Sequence, residues 1–135
     1  MTVVSTLSDS GRLTNCIVIL DIFRASNTVI QALDLGAARV VVVEELEYAL
    51  QLKSQNPDWL ALGERGGIKL DGFDGDNSPA GLSRNVSGKT VILTTSGGAR
   101  CVESCPADAT VLIGSFANAS AIAAALYGKA SADVS

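Results

Sequence analysis

Histidine is absent from this 135-residue chain. Without an imidazole, Ser-His-Asp hydrolysis, Cys-His catalysis, histidine phosphatase chemistry and imidazole-ligated metals are excluded. Cysteine is scarce: Cys16, Cys101 and Cys105 are too few and too irregularly spaced for a disulfide framework. Neither Cys101 nor Cys105 is followed by an arginine at the spacing of a cysteine phosphatase loop, so all three are expected to be reduced, mostly buried and structural. Long apolar runs are also missing, and nothing approaches the roughly 18 to 20 residues that would span a bilayer. Basic residues do not cluster, and the net charge is −4, which argues against a nucleic-acid surface built on neutralising phosphates. The first ten residues carry no basic head or long apolar stretch of a secretory signal, so the expected location is the cytoplasm.

What remains for chemistry is carboxylates, arginines, hydroxyls and thiols. The hard oxygen donors among them suit magnesium better than a soft transition metal. At 47% hydrophobic, the chain is long enough for one compact core, and residues 1–135 are expected to form a single domain.

Short β-branched runs alternate with helical stretches. CIVIL at 16–20 reads as a fully apolar strand, followed by a helix that Ser26 or Asn27 caps and that ends at Leu35 before Gly36. RVVVV at 39–43 reads as a second buried strand. Residues 44–53 read as a helix with three acids in its first turn, stopped by Pro57. A third strand is expected at 59–62, and Ser78-Pro79 reads as the cap and first position of a short helix near Leu82. Strands at 89–94 and 110–114 flank a helix from about 98 to 104, and Asn118 opens an alanine-rich helix over 119–127 closed by Gly128. Five alternations predict an α/β protein: three layers, α/β/α, around a mainly parallel sheet with right-handed crossovers.

Ligands of such folds sit beyond the carboxyl ends of the strands. Four segments fall there: DIFRAS (21–26), the Gly- and Asp-rich stretch 63–76, TTSGGAR (94–100) and GSFAN (114–118). Asp21 is the first polar residue after an apolar strand and is the leading metal-ligand candidate, with helix capping as its alternative role. Arg24 would lie at a helix start, where the dipole disfavours a cation and an anionic ligand or a local acid would relieve it. Glu64 and Arg65 leave their strand toward opposite sides, so one can bind a metal while the other clamps an anion. The glycines at 63, 66 and 67 allow positive φ and close backbone approach, so that amides face a phosphate in a flexible loop. Thr95, Ser96, Gly97 and Gly98 stand where a strand turns into a helix, whose amides can hold an oxyanion, and Arg100 adds a bidentate cation. Lys69 and Ser115 complete the candidate set.

Taken in this order, the four segments resemble 2-phosphosulfolactate phosphatases over residues 16–134. The resemblance implies a magnesium-dependent phosphoric monoester hydrolase that converts 2-phospho-3-sulfolactate to sulfolactate and phosphate in coenzyme M biosynthesis. Combined with the reading of the loops, catalytic roles are expected for Asp21, Glu64 and Arg24, with Asp21 and Glu64 holding Mg²⁺. Arg65, Lys69, Thr95, Ser96, Gly97, Gly98, Arg100 and Ser115 would bind a small anionic phosphorylated substrate. Members of that family are longer, so the sequence is expected to be an N-terminal, truncated portion of the fold, and such a fragment is expected to be inactive alone. An uncovered sheet edge would favour association, which leaves a homodimer open. Neither a nucleic acid nor a membrane is expected as a partner. The alternative from a different class is a non-catalytic phosphate- or nucleotide-binding α/β module.

Overall fold

The computed structural model describes residues 2–4, 16–20, 24–82, 84–95, 101–102 and 104–130. Its centre is three parallel strands: β3 (Arg39–Val43), β6 (Thr90–Thr94) and β4 (Leu60–Arg65). Side chains alternate across a strand, and here both faces are apolar. Val40, Val42, Leu60, Leu62, Val91 and Leu93 point to one side, where they meet Ala25, Val29 and Ala32 of helix α1 (Ala25–Asp34). Val41, Val43, Ala61 and Ile92 point to the other and meet Ala49 and Leu52 of α2 (Leu46–Gln55). A sheet covered by a helix on each face needs continuous rather than alternating apolar strands, which is why RVVVV and TVIL carry no polar break. These are the expected three layers.

The edges extend the sheet antiparallel. β1 (Thr2–Val4), which the sequence reading left unassigned, pairs with β3. β5 (Ile68–Lys69) folds back on β4, giving the order β1-β3-β6-β4-β5. The other two expected strands do not join this sheet. β2 (Cys16–Leu20) and β7 (Thr110–Gly114) form a separate parallel pair, in register from Cys16 opposite Thr110 to Leu20 opposite Gly114. Their side chains are mostly only half-buried, and Leu20 is exposed.

Several helix ends differ from expectation. Arg24, not Ser26 or Asn27, occupies the N-cap of α1 and makes no side-chain cap bond. The inward positions Ala25, Val29 and Ala32 set the phase of the helix, and that phase draws Ser26 inside the first turn, where it is buried. Packing has overridden the cap preference. The other end closes as foreseen: Gly36 N–H donates to the Leu33 carbonyl and Ala37 N–H to Ala32, the paired bonds of a Schellman motif. α2 begins two residues later than expected, so only Glu47 of the three acids lies in its first turn. The last helix, α3 (Ala119–Ala130), runs through Gly128 and is preceded by a 3₁₀ turn, Phe116–Asn118, whose cap is Ser115. Asn118 is the reciprocal partner in that capping box. Ser78 and Pro79 open a one-turn 3₁₀ helix, Pro79–Gly81. Of the expected helix near 98–104, Cys101 and Val102 are helical, while residues 98–100 and 103 lie outside the described residues. The cysteines are free but not mostly buried, since Cys16 and Cys105 are half-buried and Cys101 is exposed.

β4 and β6 approach closely at Gly63, which pairs with Thr94. A Cβ at Gly63 would lie 2.3 Å from the Thr94 methyl and 3.0 Å from the Phe73 ring. Gly63 therefore serves close packing, not the positive φ anticipated for it. Gly63→Ala is expected to cost about 1–3 kcal/mol by overpacking, read as a lowered urea midpoint. An unchanged midpoint would show that the strands part at no cost.

Candidate active site

The parallel strands of the main sheet end at one rim. Glu64 and Arg65 stand at the end of β4, Thr94 and Thr95 at the end of β6, and Glu44 follows β3. Arg24 at the head of α1 reaches this rim: its Nη2 lies 3.2 Å from Glu64 Oε1. Glu64 is the less exposed partner, at 19% against 46% for Arg24. The other carboxylate oxygen, Oε2, accepts the Gly67 amide at 2.6 Å. That amide is available because Gly66 and Gly67, at φ +59° and +84°, form the two-residue turn between β4 and β5. The structure thus aims the Gly67 amide at Glu64, leaving the carboxylate held from both sides.

The remaining cations take other directions. Arg65 leaves on the opposite face of the hairpin, as alternation requires, and donates to the carbonyls of Glu64 (2.9 Å) and Glu44 (3.3 Å). Lys69 Nζ donates to the Phe73 carbonyl at 2.9 Å, closing its own loop. Thr95 is half-buried, its amide donating to Val43 O. Ser115 is buried, accepts the Ala117 amide as a cap, and donates its hydroxyl to Asn27 Oδ1 at 2.7 Å, which joins the two-stranded unit to α1. Asp21, Ser96, Gly97, Gly98 and Arg100 lie outside the described residues. Among the described residues no three His, Cys, Asp or Glu side chains gather closely enough to hold a metal ion.

The stretch after β4 is far more ordered than a flexible loop. Leu62 bridges to Gly75, Gly63 N–H donates to Gly75 O, and Asp74 N–H donates to Ala61 O. Phe73 is buried in the α2-side core. Asp74 Oδ2 accepts the Ala61 amide at 2.7 Å and lies 3.0 Å from Lys53 Nζ. Lys53 also donates to the carbonyls of Pro57 and Trp59, so one ammonium fastens the end of α2 to β4 and to this segment. Burial alone would raise the Asp74 pKa, but the Ala61 amide, the Lys53 hydrogen bond and charge, and Lys69 together hold it below its ordinary value of 3.8. A depressed native pKa gives stability that is complete above 3.8 and is lost as pH falls through the native value. Asp74→Asn should therefore flatten the decline of the urea midpoint between about pH 5 and pH 3. Equal slopes in parent and variant would remove Asp74 from that role.

Two residues at the head of α1 were not anticipated. Thr28 is buried, and its hydroxyl lies 2.6 Å from Asn77 O and 3.1 Å from Arg24 O. Asn77 is 6% exposed, and its Oδ1 has no partner among the described residues. The one available signal was Thr28 beside the inward positions Ala25, Val29 and Ala32 of the helix; nothing in the Asp- and Gly-rich run marks Asn77.

A family model described as 2-phosphosulpholactate phosphatase matches residues 2–135. A relative from Caldicellulosiruptor saccharolyticus is 40% identical over 103 residues, covering 76% of this chain and 43% of the relative. One from Clostridium tetani is 40% identical over 109 residues, covering 79% and 47%. One from Carboxydothermus hydrogenoformans is 38% identical over 107 residues, covering 79% and 44%. Each of the three carries the name "Probable 2-phosphosulfolactate phosphatase", and the chain spans less than half of the length of each. The family match extends over nearly every residue, from β1 through α3, and the chain belongs to the 2-phosphosulfolactate phosphatase family.

Proposed function

We propose that the chain carries the substrate-facing rim of a magnesium-dependent phosphatase that hydrolyses 2-phospho-3-sulfolactate to sulfolactate and phosphate, the reaction type of coenzyme M biosynthesis, acting in the cytoplasm. The supporting observation is the Arg24–Glu64 pair at the carboxyl end of the parallel strands, in a chain of this family. The substrate carries phosphate, sulfonate and carboxylate on a three-carbon frame. It needs local cations in a globally acidic protein.

The donor set fits magnesium in kind. Glu64 offers a hard carboxylate at the rim, Asp21 is the second candidate, and a magnesium site characteristically combines one or two carboxylates with substrate phosphate oxygens. When bound, the ion supplies Lewis-acid charge at the phosphoryl group. The protein's part is positioning. The Gly67 amide fixes the orientation of the Glu64 carboxylate. Arg24, half exposed and, among the described residues, paired to Glu64, can turn its planar guanidinium to a phosphoryl oxygen while that acid keeps it near. Arg65, Thr95, Asp21, Ser96, Gly97, Gly98, Arg100, Lys69 and Ser115 remain candidate contributors. Monoester hydrolysis is intrinsically so slow that charge stabilisation must provide most of the acceleration.

The test is a chimera in which this chain replaces the matched region of the Caldicellulosiruptor saccharolyticus relative, assayed for phosphate release from 2-phospho-3-sulfolactate with and without magnesium. Release that depends on the metal supports the reading. Saturable binding of substrate without release would favour the non-catalytic binding module instead.

A further inference from the structure

The paired strands β2 and β7 are apolar on both faces, and the two faces are not covered alike. Their register puts Val18 and Leu20 beside Leu112 and Gly114 on one side. There α3 closes in: a Cβ at Gly114 would lie 2.9 Å from Leu20, 3.3 Å from Val18 and 3.7 Å from Ile122 of the helix. Leu112 and Gly114 are buried accordingly. Alternation turns Ile17, Ile19, Val111 and Ile113 to the opposite side. All four are only half-buried, and none belongs to either core cluster of the main sheet. Among the described residues the two strands pair only with each other, so each keeps an open outer edge.

Parallel strands occur almost only in sheets covered on both faces, and a sheet of two strands is marginal alone. A four-residue β-branched face beside open edges therefore calls for a covering layer. The lengths of the relatives say where that layer resides. The matched regions account for only 43%, 47% and 44% of the three relatives compared above, so more than half of each lies outside the match. From this we infer that the face formed by Ile17, Ile19, Val111 and Ile113, with the adjoining strand edge, is the docking surface for that remaining portion of the family's chain. The occupant lays an apolar helix face on the four side chains and adds a strand to the pair. This assignment rests on family membership and on the unequal burial of the two faces, not on the proposed reaction.

The experiment uses the chimera already described and the chain by itself, each ¹³C-labelled at the isoleucine δ1 methyls and exposed to a soluble gadolinium chelate. Two residues calibrate the readout: Ile92 is fully buried, and Ile68 is 74% exposed on the β4–β5 hairpin. In the chain alone, the methyls of Ile17, Ile19 and Ile113 should relax faster than that of Ile92. In the chimera their enhancement should fall to the level of Ile92, while Ile68 keeps its own. Coexpression of the chain with the relative's remaining portion as a separate polypeptide gives the same readout should the fused chimera not fold. Ile113→Asp, which would place a carboxylate under the covering layer, should restore the enhancement at Ile17 and Ile19 without changing Ile92. Three methyls equally exposed in chain and assembly, protection that persists in Ile113→Asp, or failure of both formats to assemble would overturn the docking surface. Protection that instead grows with the concentration of the isolated chain would give the face to a second copy and overturn it too. Protection in a chimera that releases no phosphate would keep the docking surface and remove the proposed reaction; release without protection would do the reverse.

Discussion

Phe73→Ala is expected to lower the stability of the chain by about 3–5 kcal/mol, the usual range for emptying a buried aromatic site. Phe73 is 4% exposed and packs with Val41, Val43, Ala49, Leu52, Ala61 and Ile92, so its ring fills the layer between α2 and the sheet. The flanking backbone leaves little room for collapse. Phe73 N–H donates to Leu70 O, its carbonyl accepts Lys69, and the next two amides donate to Ala61 O. A ring clamped at both neighbours leaves a cavity when removed. Trp59, the single tryptophan, packs against the same cluster and reports on it. Urea unfolding followed by its fluorescence should show a much lower midpoint with a similar slope. The same truncation should loosen residues 70–78, which carry Asn77 to the head of α1. An unfolding free energy within about 0.5 kcal/mol of the parent would mean that Phe73 does not anchor that segment.

How much of this was legible depends on the range of the interactions involved. The three central strands could be read because RVVVV, LAL and TVIL are apolar on both faces, a local pattern that a doubly covered sheet imposes. The layers and the rim followed from it. The cap of α1 was misread because Ser26 and Asn27 are better cap formers than Arg24, whereas the helix phase is set by Ala25, Val29 and Ala32 meeting residues from strands far along the chain. The separation of β2 and β7 from the main sheet could not be read, since CIVIL and TVLIG look like any buried strand and pairing is decided elsewhere. Phe73 is a lone apolar residue in an Asp- and Gly-rich run and has no periodicity to reveal it. At the site, Arg24 with Glu64 was foreseeable in part, because a cation at a helix start seeks an anion. Arg65 and Lys69 were read as anion ligands, yet their carbonyl acceptors lie at Glu44 and Phe73, positions that only the folded hairpin brings within reach.

Glu64→Gln is expected to reduce magnesium-dependent phosphate release by the chimera about 10²-fold or more, the scale seen when a preorganised charge is removed from a transition-state site. The substitution keeps shape and leaves an oxygen to accept the Gly67 amide, so the turn at Gly66 and Gly67 should persist. What disappears is the negative charge. Arg24, 46% exposed and paired with Glu64 at 3.2 Å, then loses the acid that holds it at the rim, and magnesium loses a carboxylate for which an amide oxygen is a poor replacement. Stability should change by less than about 1 kcal/mol, because a pair this exposed is screened by water. The combination discriminates between roles: a large loss of rate with a raised magnesium requirement and an almost unchanged urea midpoint identifies a functional carboxylate. Arg24→Gln should instead raise KM more than it alters the metal requirement, since guanidinium contacts act on the anion. If Glu64→Gln leaves both rate and magnesium dependence within about twofold of the parent, the Arg24–Glu64 pair is a surface ion pair and the rim is not where phosphate is released.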